Sequence, residues 1–331
     1  MEIFPTQYST LSARALGKAI ESLYGFSDIA CRYLLRGVSD TYKVEGISKR
    51  YIFKIYRDAH RSLDEIQGEV ELLNALHEEG ASISYPIRDL EGQQIQSFEA
   101  AEGIRHGVLF SYAPGKPVGV ISDEQIANTG REMARVHNIT STIELSHERR
   151  GYNHQTTLLG PIAALKPAFH ELPDEYQYLQ DTAAAIIQKL DGLDTSNFSV
   201  GYCHFDFLPK NFHIDDQNRV TFFDFDFAGK GFLANDLMTY WTHFALDVIL
   251  GKNTREGSDR AFQVFLDAYR EIRPVSAEEV KAIPLLNLGF WVFYLGFHYD
   301  QFDDFSTHFF TTRFIKERVA LIKKIMDLYC F

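Results

Sequence analysis

The spacing of apolar residues divides the chain into a strand-rich first third and a mostly helical remainder. Residues 6–24 carry apolar side chains at helical spacing and are followed by Gly25, which predicts a first helix. Ser62 and Glu65 form a capping-box pattern, which predicts a second helix that ends before Gly80. Short apolar or alternating runs predict strands at 30–35, 41–45, 51–56, 82–88, 94–98 and 108–112.

The pattern changes after residue 113, where Pro114, Gly115 and Pro117 interrupt it. Ser122 and Gln125 repeat the capping-box pattern and predict a helix that reaches Ile139. Residues 141–171 are polar and predict a loop or a loosely helical insertion, and further helices are predicted at 174–191 and from 233 onward. These elements predict an α+β protein with a strand-rich lobe at 1–113 and a larger helical lobe at 114–331.

Composition narrows the possible partners. With 331 residues, 45% of them apolar, the chain can bury a large core, and its net charge of −12 disfavours nucleic acid and modestly favours a cationic ligand. The three cysteines have no disulfide or metal spacing, and the first residues lack the pattern of a signal peptide. The longest apolar stretch, 285–297, is too short to span a bilayer. We therefore expect a cytoplasmic protein that binds neither nucleic acid nor membrane.

Polar residues interrupt two aromatic runs, 202–213 and 222–226. Such groups are costly to bury unless they are paired or bind a cation. His204, Asp206 and Asn211 have the His-x-Asp-x-x-x-x-Asn spacing of a kinase catalytic loop, and Asp224 follows on a second strand. This predicts Asp206 as the catalytic base, with Asn211 and Asp224 holding Mg²⁺ on the phosphates of ATP.

These acids allow two other interpretations. Asp224 and Asp226 could begin a calcium loop, but Ala228 and Asn235 stand where an EF-hand needs a ligand and its closing glutamate. The acids could also be ordinary turn residues of a hairpin, which would leave the spacing unexplained.

Lys54 lies on a predicted strand between Phe53 and Ile55, where an ammonium group requires an anion. Glu69 borders the apolar stripe of the following helix and is the best-placed carboxylate. We predict that the two form a pair and that Lys54 also contacts the nucleotide phosphates.

Further segments occur in a fixed order around these residues: 36–42 with one glycine, 53–55, 109–115, 133–137 and 235–237. Together with the catalytic loop, they resemble the aminoglycoside phosphotransferase and choline kinase family, the small-molecule branch of the protein-kinase-like fold. The resemblance spans nearly the whole chain. It implies a two-lobed kinase fold, with Ser39 near the phosphates and the backbone of Ser111 and Ala113 near adenine. It also implies that Asp236 braces the catalytic loop.

The resemblance places the phosphate acceptor in the helical lobe. Aromatic residues near 290–294 are followed by acids, and aromatic faces beside carboxylates are suited to ammonium groups. Asp226, Asp300, Asp303 and Asp304 are therefore candidate contacts for a substrate amine. The chain departs from the family pattern at Phe205, where glycine is common, and at Asp40, where asparagine is frequent.

The leading hypothesis is an ATP- and Mg²⁺-dependent phosphotransferase acting on a hydroxyl of a small, amine-bearing molecule. Choline, homoserine, an amino sugar and an aminoglycoside remain open as acceptors. The alternatives are a protein Ser/Thr kinase of the same fold and a non-catalytic nucleotide-binding module. The first lacks a recognisable activation segment between Asp224 and Asp236, and the second would not need the full set of catalytic side chains.

Overall fold

The computed structural model describes residues 4–57, 60–300 and 310–331. Contacts between Cα atoms divide the chain into two compact units. Unit 1 comprises residues 1–114, 144–149 and 221–223, and unit 2 comprises 115–143, 150–220 and 224–331.

Unit 1 contains a five-stranded antiparallel sheet with the strand order β1-β2-β3-β5-β4. Its strands are β1 (Ala30–Arg36), β2 (Asp40–Glu45), β3 (Arg50–Ile55), β4 (Ile95–Ala100) and β5 (Gly103–Ser111). Tyr42, Phe53 and Leu109 point into the core, because side chains of a strand alternate between the two faces of the sheet. The apolar residues that predicted the central strands are therefore the ones that pack into the core.

Two helices accompany this sheet. Helix α1 (Ala13–Tyr24) places Leu16 and Ile20 in the same core and ends at Gly25 in the left-handed conformation. Helix α2 (Leu63–Glu78) begins with the predicted capping box, in which Ser62 and Glu65 each accept a hydrogen bond from the other's backbone amide. The start of α2 is thus encoded locally, and this start determines the position of Glu69 along the helix.

Unit 2 is mainly helical. Its helices are α3 (Asp123–Thr140), α4 (Gly160–Leu165), α5 (Pro173–Asp191), α6 (Ala234–Ile249), α7 (Arg255–Arg270), α8 (Ala277–Asp300) and α9 (Thr312–Tyr329). Helices α3 and α7 cross closely at Gly130, where a Cβ atom would lie 2.4 Å from the carbonyl oxygen of Phe265. The glycine is required there because the two backbones leave no room for a side chain.

Short strands frame the predicted catalytic segment. They are β6 (Val200–Cys203), β7 (Phe212–Ile214), β8 (Val220–Phe222) and β9 (Gly229–Phe232). Strands β6 and β9 pair antiparallel, with Val200 opposite Phe232 and Cys203 opposite Gly229. This register places the residues after Cys203 beside the residues that precede Gly229.

The α+β fold class predicted from the sequence is confirmed, whereas some local predictions are wrong. Residues 82–88 form isolated bridges instead of a strand. The insertion contains π-helical, α-helical and 3₁₀ turns between Gln155 and Phe169. Pro161 and Pro167 each lie near the start of a new turn. The turns stay short because proline has no N–H group to continue the hydrogen bonds of the preceding turn.

Helix α8 corrects the sequence-based argument about membrane spans. It has 24 residues, so its length and composition alone would allow it to cross a membrane. However, 61% of its most apolar window is buried inside the protein, as in the core helix of a globular fold. Burial in unit 2 explains this apolar sequence without a membrane.

Candidate active site

The segment after β6 is held by a carboxylate buried at the start of α6. Asp236 is fully buried; its Oδ2 accepts a hydrogen bond from the backbone amide of His204 at 2.8 Å, and its Oδ1 accepts one from that of Phe205 at 2.7 Å. The ring of His137, also fully buried, donates from Nε2 to Asp236 Oδ2 at 3.0 Å, and its Nδ1 accepts from the Tyr269 hydroxyl at 2.7 Å. Asp236 therefore fixes the backbone immediately before Asp206, as the sequence predicted.

Asp206 is 3% exposed and is held through one of its two carboxylate oxygens. Oδ2 accepts from Asn211 Nδ2 at 2.8 Å and lies 2.8 Å from Lys210 Nζ. Oδ1 is buried and accepts no hydrogen bond of regular geometry among the described residues. The buried Tyr294 hydroxyl interacts with the Asp206 carboxylate, which adds to the effect of burial in raising the pKa of Tyr294. Burial raises the pKa of Asp206, Lys210 opposes this shift, and the charge of Asp224 adds to it. One oxygen of the Asp206 carboxylate thus lacks a regular hydrogen bond, which leaves it able to receive a proton.

Asn211 is oriented by the same carboxylate. Its amide nitrogen donates both to Asp206 Oδ2 and to the Asp206 backbone carbonyl, the latter at 2.9 Å. The side-chain oxygen of Asn211 must therefore point away from Asp206 and is the atom suited to a cation. His204 has a structural role, because its Nδ1 accepts a hydrogen bond from the backbone amide of Asp206 at 3.1 Å.

Asp224 differs from Asp206 in both exposure and backbone. It is exposed, its φ of 66° lies in the left-handed region, and a 3₁₀ turn (Phe225–Phe227) follows it. Non-glycine residues adopt this conformation rarely, and aspartate is among those that tolerate it. Asp226, two residues later, is 2% exposed. The left-handed turn therefore exposes one of these carboxylates and buries the other.

The donor set fits a magnesium ion bound to a nucleotide. No group of three or more His, Cys, Asp or Glu suited to a metal occurs among the described residues. Mg²⁺ characteristically uses one or two carboxylates together with phosphate oxygens and water. Asn211 and Asp224 supply that number of protein oxygens, and Oδ1 of Asp206, which lacks a regular hydrogen bond, shows that hydrogen bonds within unit 2 do not fully satisfy every anionic atom here.

In unit 1, Lys54 Nζ lies 3.6 Å from Glu69 Oε1, and the side chains are 9% and 2% exposed. The ammonium also lies 5.0 Å from the centre of the Tyr56 ring. Strand β3 thus presents Lys54 to helix α2, as alternation along the strand and the stripe on the helix predicted. A buried pair of this kind is costly to form and fixes both partners in place.

The turn between β1 and β2 is anchored by groups that the sequence did not reveal. Its Gly37 amide donates to the Ser39 carbonyl at 3.0 Å, its Gly37 carbonyl accepts from Arg57, and its Val38 carbonyl lies 2.9 Å from His60 Nδ1. Ser39 is 4% exposed, so its side chain is held inside this turn.

Asp40 follows the turn and is fully buried beside Arg105, with 3.3 Å between Oδ2 and Nη2, and beside Arg36, with 3.4 Å between Oδ1 and Nε. Asp40 therefore carries a negative charge that the asparagine of the family pattern lacks, and two arginines balance this charge.

The predicted adenine-binding segment is partly occupied by contacts within unit 1. The Ser111 amide donates to the Tyr85 carbonyl at 2.9 Å, and the Ser111 carbonyl accepts from the Ser84 hydroxyl at 2.5 Å. Its side-chain oxygen accepts from the Tyr85 amide at 3.0 Å. Ser111 therefore has little capacity left for a ligand.

A cavity of about 160 Å³ in unit 2 includes Asp206 in its wall. The aromatic run of α8 contributes to it as predicted, but the predicted acids do not. Asp226 and Asp300 are absent from the lining, and Asp303 and Asp304 lie outside the described residues. The full lining consists of Asp206, Leu208, Lys210, Thr242, Leu246, Phe290, Trp291, Tyr294, Leu295, His298 and Arg318. Arg318 and Lys210 are the site residues that sequence reasoning missed.

A second cavity of about 440 Å³ in unit 2 is larger but does not contain Asp206. Phe205 forms part of its wall, with its ring stacked on Tyr152 at 3.7 Å between ring centres. The φ of Phe205 is 64°, in the region that favours glycine, which gives a physical reason for the glycine common at this position. Of the two cavities, the smaller is the one whose wall contains Asp206.

Comparison with known proteins agrees with this geometry. A sequence model of the phosphotransferase enzyme family matches residues 31–275. The chain belongs to this family. It is therefore a small-molecule kinase that uses an alcohol group as acceptor.

Relatives span most of the chain. A protein of Deinococcus radiodurans is 29% identical over 92% of this chain and 87% of its own length. A homoserine kinase of Paramagnetospirillum magneticum is 25% identical over 79% of this chain and 78% of its own. An amicoumacin kinase of Bacillus subtilis is 26% identical over 65% of this chain and 63% of its own.

Two solved structures show the same fold. An amicoumacin kinase in complex with AMP-PNP, Ca²⁺ and Ami has a TM-score of 0.76 at 21% identity, and the match covers 94% of each chain. A microcompartment-associated aminopropanol kinase has a TM-score of 0.73 at 18% identity and covers 94% of this chain and 95% of its own. Both confirm the predicted protein-kinase-like architecture.

Proposed function

We propose that the enzyme transfers the γ-phosphate of Mg²⁺-ATP to a hydroxyl group of a small molecule bound in the 160 Å³ cavity. The observation that carries this proposal is the carboxylate of Asp206 in the wall of that cavity, which is held through Oδ2 while Oδ1 lacks a regular hydrogen bond. The cavity is smaller than the roughly 300–1,000 Å³ of drug-sized sites, which favours a small acceptor over a large aminoglycoside.

Asp206 acts as the base in this proposal. The acceptor oxygen forms a bond to the γ-phosphorus, the bond from that phosphorus to the β-phosphate oxygen breaks, and ADP leaves. The hydroxyl proton moves to Asp206, whose raised pKa makes it a better proton acceptor than an ordinary aspartate. Asp236 and His204 hold the loop so that this carboxylate does not have to reorganise.

Asn211 and Asp224 would hold Mg²⁺, which supplies charge neutralisation on the phosphates when bound. Lys54 would contact the phosphates and be oriented by Glu69, while Ser39 and the turn around it would cover them. Ala113, and less so Ser111, would offer backbone groups to adenine. The alcohol acceptor follows from the family, whereas these individual roles and the use of Mg²⁺ and ATP are proposals.

The sequence predicted that the acceptor carries an amine and that four acids are candidates to contact it. The described wall of the cavity contains none of these four acids. Asp226 is buried and Asp300 is exposed, and neither lines it. For Asp303 and Asp304, contact with an amine of the acceptor stays a prediction. The cytoplasmic location likewise stays a prediction.

The test separates chemistry from binding. In Asp206→Asn, we expect Mg²⁺-ATP to bind with unchanged affinity, while acceptor-dependent ADP release falls by about 10³-fold because the proton acceptor is lost. In Asp224→Asn, we expect the magnesium-dependent part of nucleotide affinity to fall. Calorimetry and a coupled assay for ADP measure the two quantities.

Asp216→Asn is the matched control, because Asp216 is an exposed acid in the turn after β7 and touches neither cavity. Equal ADP release by wild type, Asp206→Asn and Asp216→Asn would show that Asp206 is not the base. Magnesium-independent nucleotide binding in the wild type would refute the metal assignment.

A further inference from the structure

Arg318, on α9, lines the cavity that contains Asp206. Its guanidinium lies 5.0 Å from the centre of the Trp291 ring and 5.2 Å from that of Phe314. Trp291 is itself fixed, because its indole nitrogen donates to Asn287 at 2.9 Å and Asn287 donates to Thr242 at 2.7 Å. The fixed Trp291 ring thus gives the guanidinium a cation–π contact at the wall of the cavity.

Among the described residues, Arg318 has no anionic partner. No carboxylate of the described chain lies within ion-pair distance of it, whereas Arg313 on the same helix lies 2.7 Å from Glu317. Burial lowers the pKa of Arg318, which shows that its charge is held at a cost. A partly buried guanidinium without an anion is unfavourable unless a ligand supplies the anion.

The other charges of the cavity do not fill this role. Asp206 is the only acid in the described lining, and its Oδ2 is already 2.8 Å from Lys210 Nζ. His298 is neutral at pH 7, since burial, with Arg318 and Lys210 adding to it, lowers its pKa to about 4. Arg318 is therefore the cation that the described residues of this cavity leave uncompensated.

We propose that Arg318 binds a carboxylate of the phosphate acceptor, so that the acceptor is a small hydroxy acid, with or without an amine. This rests on the proposed function, because the hydroxyl must reach Asp206. A planar guanidinium matches a carboxylate with two parallel hydrogen bonds, and the aromatic wall excludes the water that would weaken them. An acceptor with an ammonium group alone would be repelled by Arg318.

The first experiment compares carboxylates with uncharged molecules of the same shape. Wild-type enzyme with saturating Mg²⁺-ATP is offered L-homoserine, γ-hydroxybutyrate and glycerate, each beside its primary amide, and also aminopropanol and choline. We expect kcat/KM for ADP release to be about 100-fold higher for a carboxylate than for its amide, the scale of a desolvated charged hydrogen-bond pair. Higher values for the amides or amino alcohols would overturn the proposal.

Variants at position 318 locate the effect. Arg318→Gln is expected to lower kcat/KM for the best carboxylate about 100-fold and to leave that of its amide nearly unchanged, while Arg318→Lys restores part of the loss. Arg313→Gln removes an arginine that is 87% exposed on the same helix and should change neither value. Equal losses for the carboxylate and the amide would indicate a structural role and refute the assignment.

Binding without turnover distinguishes failure of this inference from failure of the proposed function. Calorimetry measures the affinity of the same carboxylates for Asp206→Asn, with and without Arg318→Gln. Carboxylate binding that depends on Arg318, even if no compound stimulates ADP release by the wild type, would support the anion site and refute the phosphotransfer. Absent binding, or binding indifferent to Arg318, would overturn the anion site even if another hydroxyl compound is phosphorylated.

Discussion

The lysine region of unit 1 and the catalytic loop of unit 2 solve the problem of buried charge in different ways. Lys54 on β3 is matched to Glu69 on α2 through a contact of 3.6 Å between side chains. The carboxylate of Asp206 is held by Asn211 and Lys210, and its backbone amide donates to the ring of His204. Asp236 holds the two preceding backbone amides, with His137 and Tyr269 behind it. One region depends on a pair of charges, and the other depends on a hydrogen-bonded network.

The difference indicates which region supports the stability of the fold and which supports mainly the function. A buried pair of charges can be replaced by two apolar residues with little loss of stability, because the cost of removing both charges from water disappears together with their attraction. A network that binds backbone amides cannot be replaced so simply, because removal of its central acceptor leaves several donors unsatisfied. We therefore expect substitutions in the network to damage the fold, and matched substitutions in the pair to damage only the function.

The largest effect is expected at Asp236. In Asp236→Ala the amides of His204 and Phe205 and the ring of His137 lose their acceptor, which should lower the free energy of unfolding by on the order of 4 kcal/mol. Hydrogen exchange should show lost protection at these two amides, and thermal denaturation should show a lower Tm.

Asp236→Asn serves as a milder variant in case Asp236→Ala does not fold, since it retains one oxygen acceptor. Asp247→Asn on the same helix is the control: the Asp247 side chain is 40% exposed and lies 3.8 Å from Lys252. A change at Asp236 no larger than at Asp247 would show that the loop holds its shape without the network.

An intermediate effect is expected for the lysine pair. Lys54→Met should lower the free energy of unfolding by about 3 kcal/mol, because Glu69 keeps its charge in a site that is 2% exposed. Adding Glu69→Leu should recover most of this loss while ADP release remains low. A double-mutant cycle from thermal or urea denaturation measures the coupling between the two residues.

The exposed pair Lys43 and Glu45 on β2, with a distance of 2.7 Å and exposures of 31% and 29%, is the matched control. Its coupling should be much smaller despite the shorter distance, because solvent screens both charges. Equal coupling for the two pairs would mean that burial does not distinguish them.

The smallest effect concerns the backbone of the catalytic loop. Phe205 has a φ of 64°, so Phe205→Gly should be more stable than Phe205→Ala by about 1 kcal/mol, although both lose the ring stacked on Tyr152. Phe207, buried in the same loop without a positive φ, should show the reverse order. The same order at both positions, measured by Tm, would show that strain at Phe205 is not released by glycine.

Much of the fold and part of the candidate site could be predicted from local sequence. The capping boxes at Ser62 and Ser122 define where α2 and α3 begin, because the hydrogen bonds that form them join residues three apart. The catalytic loop could be predicted for a similar reason: Asp206 and Asn211 are five residues apart, and a short loop must bring them together. Lys54 and Glu69 followed from strand alternation and helical spacing.

The sequence by itself determined the order of the elements, the phosphotransfer motif and the family, because each depends on residues close in the chain or on a fixed order along it. Only the tertiary structure decided that Asp40 is neutralised by Arg105, and that the cavity beside Asp206 contains Arg318 instead of Asp226 or Asp300. These neighbours lie far apart in the sequence. Their proximity arises from the packing of strands and helices, which depends on the whole core and leaves no local pattern.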